Sequence, residues 1–173
     1  MKDLERMTVE EFYAEHRALW DWLAKNPEKN FKDTWPGWKD ISFPVRHLCI
    51  ACEFGYRISG SLSPLARCNN CLLDWGGGED KHYVGCCIIT ETDIGLDLCA
   101  DNEEGYFSKW SNARSKYNAH MGHKTGVSSR LLDTLKAEVV KYATIIRDLP
   151  LSAVAVKMKE NGWNEGTKDE KDN

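Results

Sequence analysis

The sequence has no apolar run long enough to cross a bilayer: the longest, Tyr83 to Thr90, falls far short of the ~20 residues a spanning helix needs. Its opening residues, Met1 to Arg6, lack the basic start and apolar stretch of a secretory signal. A soluble protein of the cytoplasm that makes no membrane contact is the expectation. Basic charge is short as well, with 23 Lys and Arg against 27 Asp and Glu and a net charge of -4. That balance argues against a general nucleic-acid coat, because phosphate binding relies on a cationic excess. Gly76-Gly77-Gly78 lacks the flanking residues of a P-loop or a dinucleotide fingerprint, so a phosphate cradle has no support. No complete catalytic signature is visible, and the chain is expected not to be an enzyme.

Cysteine, by contrast, is plentiful. Four of the seven fall in a C-x2-C-x15-C-x2-C pattern, Cys49 with Cys52 and Cys68 with Cys71. An odd total and a reducing compartment disfavour a disulfide framework, and two C-x2-C pairs favour tetrahedral zinc. Four thiolates close the coordination sphere, so the predicted Zn2+ is structural and not a Lewis acid. Asn69 and Asn70 suit a tight turn in one pair, and Gly55, three residues after Cys52, is placed to turn the chain away from the other. The segment Glu53 to Arg67 is poor in core-forming residues and is expected to depend on the metal. A rubredoxin-like iron site would use the same sulfurs. Cys86 and Cys87 fall in an apolar strand and are read as buried thiols. Cys99 with His120 and His123 forms a looser candidate for a second metal site.

Along the chain, Thr8-Val9-Glu10-Glu11 is a capping box that predicts a helix to about Lys25. Phe12, His16, Leu19, Trp20 and Leu23 share one face of it, and His16 is read as a hydrogen-bonded packing residue. Residues 26–48 are irregular or short-helical and pinned by aromatics. His82 to Thr90 and Ile94 to Cys99 read as a hairpin. Gly105 to His120 and the run from Ser128 to about Pro150 are helices, and residues 151–160 form a shorter one. The expected fold is mainly α within an α+β class: a small helical domain over residues 1–163. A zinc-knuckle insert occupies about 47–75 and a short, acidic β-hairpin about 80–100. A disordered charged tail covers 164–173.

Charge is distributed unevenly. Nine acids lie between Cys68 and Glu104, whereas Gly105 to Leu132 has none and carries Lys109, Arg114, Lys116, Lys124 and Arg130. Mutual neutralisation across the fold is the simplest explanation. The basic stretch also interleaves Trp110 and Tyr117, so these seven residues are candidate contacts for nucleic acid or a protein partner.

Several short motifs bring a family to mind: His16-Arg17-Ala18-Leu19-Trp20-Asp21-Trp22-Leu23, the two cysteine pairs, Leu72-Leu73-Asp74-Trp75-Gly76, Cys99, Tyr106-x3-Trp110 and Ala143 to Pro150. Together they resemble small uncharacterised proteins of bacteriophages and prophages, across most of Thr8 to Pro150. Leu72 stands where those proteins often have Pro, and the interval from Cys71 to Cys99 looks longer here. The resemblance implies a phage accessory protein that binds a host or phage protein, for instance to inhibit a bacterial defence system. Alternatives are a nucleic-acid-binding zinc protein, a nucleotide-sequestering protein, or a metal-dependent nuclease of the His-Asn-His kind. For the last, Asn118, His120 and His123 offer a partial likeness, without the usual Asp-His or His-His dipeptide.

Overall fold

The computed structural model of the chain describes residues 2–29, 32–41, 49–61, 66, 70–75, 105–122 and 128–163. Five α-helices dominate them: α1 Val9–Lys25, α2 Ile50–Ser59, α3 Tyr106–Met121, α4 Ser129–Arg147 and α5 Ala153–Glu160. Three 3-10 turns, Leu4–Arg6, Lys32–Thr34 and Pro36–Asp40, occupy the connections. No strand forms among the described residues, where β-pairing is limited to two isolated bridges, Lys2 with Ile41 and Leu73 with Leu151. The hairpin expected at about 80–100 and the tail at 164–173 lie outside the described residues.

The capping box starts α1 as its sequence dictates. The Glu11 amide donates to Thr8 Oγ1 at 3.2 Å, and the Thr8 amide donates to Glu11 Oε2 at 2.7 Å. Two orphan amides are thereby satisfied. Phe12, His16, Leu19, Trp20 and Leu23 are all buried on one face. That face packs along α4, which contributes Leu135, Val139, Ala143 and Ile146, while α3 lies along the other flank of α4. Trp20 of α1 meets Trp110 of α3 edge to face with ring centroids 4.9 Å apart. Each such fully buried side chain is worth ~1.5–3 kcal/mol relative to exposure, so this contact is a principal anchor of the three helices.

His16 behaves as its position on the stripe predicts. Its Nε2–H donates to the Ile146 carbonyl at 2.9 Å, one of the last four carbonyls of α4, which have no partner within their own helix. Tyr13 adds a second tie, its hydroxyl donating to the Leu149 carbonyl at 2.9 Å. Burial holds the His16 pKa down to about 4, with the charges of Lys32 and Arg17 acting in the same direction. Outside this seam Arg147 pairs with Asp148 at 2.7 Å and with Asp21 at 3.1 Å, and Arg17 reaches Asp148 at 3.2 Å.

The short-helical segment after α1 is pinned by aromatics, as expected. Trp35 is buried and meets Trp38 edge to face at 5.0 Å, and the Trp38 indole donates to the Lys32 carbonyl at 2.6 Å. A side chain at Gly37 would place its first carbon 2.2 Å from the Trp35 ring. Lys32 extends over Phe107 and Trp20, with Nζ 4.3 Å and 5.2 Å from the ring centroids.

One expectation is corrected here. Cys49-x2-Cys52 is not a knuckle turn from which Gly55 releases the chain: Cys49 is the N-cap of α2, and Gly55 is a buried residue inside that helix. Ile50, Ala51 and Phe54 recur at helical spacing and are buried, with Phe54 edge to face on Phe12 of α1 at 5.4 Å. The apolar face of α2 therefore wins over the turn propensity of its glycine. The first half of the cysteine insert is part of the core. The turn comes later, at Gly60, which closes the helix in a left-handed conformation (φ 60°) that glycine adopts at no steric cost.

Candidate metal centre

Cys49, Cys52 and Cys71 are free thiols, the first two half-buried and the third buried. The opening turn of α2 brings the first pair together, since residues three apart on a helix are neighbours. The Cys52 thiol hydrogen-bonds to the Cys49 sulfur, and this contact is the main reason that the Cys49 pKa lies below the ordinary thiol range. Lys32 and the amides of Cys52 and Ala51 add to the effect, as a cation and a helix N-terminus should. Cys52, the proton-sharing partner, is pushed up by that hydrogen bond, by burial and by the charges of Cys49 and Cys71.

Cys71 arrives from a different part of the chain. Its segment is strapped to the α4–α5 corner: the Asp74 amide donates to the Pro150 carbonyl at 2.9 Å, and the Ser152 amide donates to the Leu72 carbonyl at 2.9 Å. Ser152 Oγ also donates to the Cys71 carbonyl at 2.5 Å. Leu72 and Leu73, both buried, press the strap onto the core. The Trp75 indole N–H donates to Cys71 Sγ at 3.4 Å.

The Cys71 charge is felt at Cys52, which puts three of the four expected ligands in one region of the fold, and Cys68 lies outside the described residues. Among the described residues no three ligand-type side chains gather closely enough to hold an ion by themselves. The donor chemistry fits a soft or borderline cation, being thiols alone with N–H donors and a lysine charge around them. Lys32 and Trp75 are the residues that sequence reading missed. Trp75 was visible only as part of the motif after Cys71, with nothing local to say that its indole would donate to the sulfur, and Lys32 acts on the site from another element.

The other candidates are scattered. Trp110 and Tyr117 are core residues at 2% and 6% exposure, so neither ring offers a face for base stacking. Arg114 is half-buried with its guanidinium 4.7 Å over the Trp110 ring, and burial lowers its pKa. Lys109 is half-buried, Lys116 and Arg130 are exposed, and Lys124 lies outside the described residues. His120 is turned back on its own helix, Nδ1–H donating to the Lys116 carbonyl at 2.7 Å. Its suggested companions His123 and Cys99 are outside the described residues. Met121 and Leu131, where α3 ends and α4 begins, are large apolar side chains at 51% and 42% exposure. No described helix is long and apolar enough to cross a membrane. In comparison with known proteins, no family model, curated protein or solved structure matched this chain.

Proposed function

We propose that Cys49, Cys52, Cys68 and Cys71 hold a structural Zn2+ and that the protein works by binding another protein, as a phage-type accessory factor in a bacterial cytoplasm. The observation that carries the metal assignment is the meeting of the Cys49 and Cys52 thiols at the N-terminus of α2, with the Cys71 charge felt at Cys52. A zinc ion there would bond the start of α2 to the strap and so to the α4–α5 corner, a fastening role. The binding role draws on the exposed Met121 and Leu131, at the end of α3 and the start of α4, and on the exposed cations Lys116 and Arg130 of the same two helices. Exposed apolar side chains rimmed by charge suit a protein partner, and a host defence component is the partner that the phage resemblance suggests. With Trp110 and Tyr117 buried, nucleic-acid binding would have to rely on phosphate contacts from Lys109, Lys116 and Arg130 without those rings.

Native mass spectrometry of protein purified from co-expressing bacteria tests both halves. One zinc per chain, lost in Cys68→Ser and kept in Cys99→Ser, is the expected result. Retention of zinc and of the melting transition by Cys68→Ser would show the ligand set to be wrong. A single stoichiometric protein should accompany the chain and be lost in Leu131→Asp while zinc is kept. Recovery of the intact zinc form with no such companion would refute the binding role.

A further inference from the structure

Trp163 stands just past the end of α5 and is turned back onto the fold. Gly162 is left-handed (φ 65°), its N–H donates to the Lys159 carbonyl at 3.1 Å, and the Trp163 N–H donates to the Met158 carbonyl at 3.0 Å. These two bonds make a Schellman closure. It delivers the Trp163 ring edge to face onto Phe54 of α2, with centroids 5.8 Å apart. The Arg57 guanidinium lies 5.4 Å from the Trp163 centroid and 5.2 Å from that of Phe12. The contact of Trp163 with α2 therefore hangs on a turn in which Asn161 and Gly162 are both exposed.

Asn161 is the one Asn of the chain that precedes a Gly. Glycine sets no side chain beside its amide nitrogen, and beyond the chain neighbours no atom lies within 4 Å of where a Cβ on Gly162 would stand. We propose that Asn161–Gly162 is a site of spontaneous modification by water and that its isoaspartate product releases Trp163 from α2. The Gly162 nitrogen gives up its proton to solvent and bonds to Asn161 Cγ; the bond from Cγ to the side-chain nitrogen breaks, and ammonia leaves with a proton. Water then opens the resulting five-membered succinimide at either carbonyl. One opening yields Asp, and the other yields isoaspartate, in which the main chain runs through Cβ and Cγ. One water is consumed and one ammonia released, with no oxidant or reductant. The Gly162 amide becomes free to react when the last turn of α5 opens, and helix ends open at little cost. The extra main-chain methylene of isoaspartate falls inside the ring closed by the Trp163 N–H and the Met158 carbonyl, so that bond no longer closes and the ring loses its seat on Phe54 and Arg57.

Peptide mapping of the full chain during incubation at mildly alkaline pH tests the site. Asn161 should convert faster than every other Asn, yet more slowly than in a free peptide of the same local sequence, because the fold engages the Gly162 N–H. Labelling by isoaspartyl methyltransferase should fall on the peptide that holds Asn161 and vanish from it in Asn161→Gln. An Asn161 that stays intact while the free peptide converts, or that another Asn outpaces, overturns the site. Hydrogen exchange tests the consequence. Converted chains, separated by their added negative charge, should exchange the α2 amides severalfold faster than unconverted protein. Asn161→Asp, which has the charge without the extra methylene, should match the unconverted protein. Unchanged exchange of α2 in the isoaspartate form overturns the release of Trp163.

Discussion

The seam between α1 and α4 and the thiol corner at the start of α2 are held by different forces. The seam is built from apolar stripes on two long helices, closed by His16 and Tyr13 on carbonyls at the end of α4. The buried His16 imidazole finds its acceptor within the seam. The corner joins a ten-residue helix to the strap around Cys71, and its sulfurs meet donors and one another. Burial and these hydrogen bonds explain the first. The second, on the zinc reading, is completed by an ion, so the two should respond differently to the same insult.

The largest expected effect lies in the helical core. Trp110→Ala should cost ~3–5 kcal/mol, because it empties the contact with Trp20 at the meeting of α1, α3 and α4. Urea unfolding should show this loss with and without chelator, which separates the core from the corner. Next comes pH. With a folded-state pKa of about 4 against an ordinary 6.5, His16 is neutral in the folded protein where the unfolded chain already binds a proton. Its contribution is fully present above about pH 6.5 and is lost progressively as pH falls toward 4, by roughly 3 kcal/mol in all. A His16→Gln variant should flatten that window in a series of urea melts.

Smaller changes sharpen the contrast further. Gly37→Ala drives a methyl into the Trp35 ring and should cost ~1–3 kcal/mol by thermal melting, since a buried indole has little room to give. Thr8→Ala removes the capping bond to Glu11 and should cost about 1 kcal/mol, read in the same way. Neither change should alter the zinc content, because both residues lie outside the corner.

Legibility in the sequence follows the same division. α1 could be read because a capping box and a five-residue stripe agree, and α4 because Leu135, Val139, Ala143 and Ile146 keep helical spacing over about three turns. Even the packing role of His16 was plain from its place on the stripe. α2 was missed because its apolar face is short, Ile50, Ala51 and Phe54 with half-buried Ile58 beyond, and the flanking cysteines and Gly55 suggest a turn more strongly than that stripe suggests a helix. Trp110 and Tyr117 were readable as an apolar side of α3, yet their basic neighbours equally suggested a stacking surface. Which of the two holds depends on α4 packing over them, a tertiary fact. The bridge of Leu73 to Leu151 is likewise invisible, since nothing local pairs residues so far apart.

Hydrogen exchange with and without a strong zinc chelator tests the central contrast most directly. Stripping the metal should deprotect the amides of α2 and those of residues 71–75, while α1 and α4 keep theirs. Unchanged protection of α2, or equal loss in α1 and α4, would contradict the claim that an ion fastens the corner while burial and its own hydrogen bonds hold the seam.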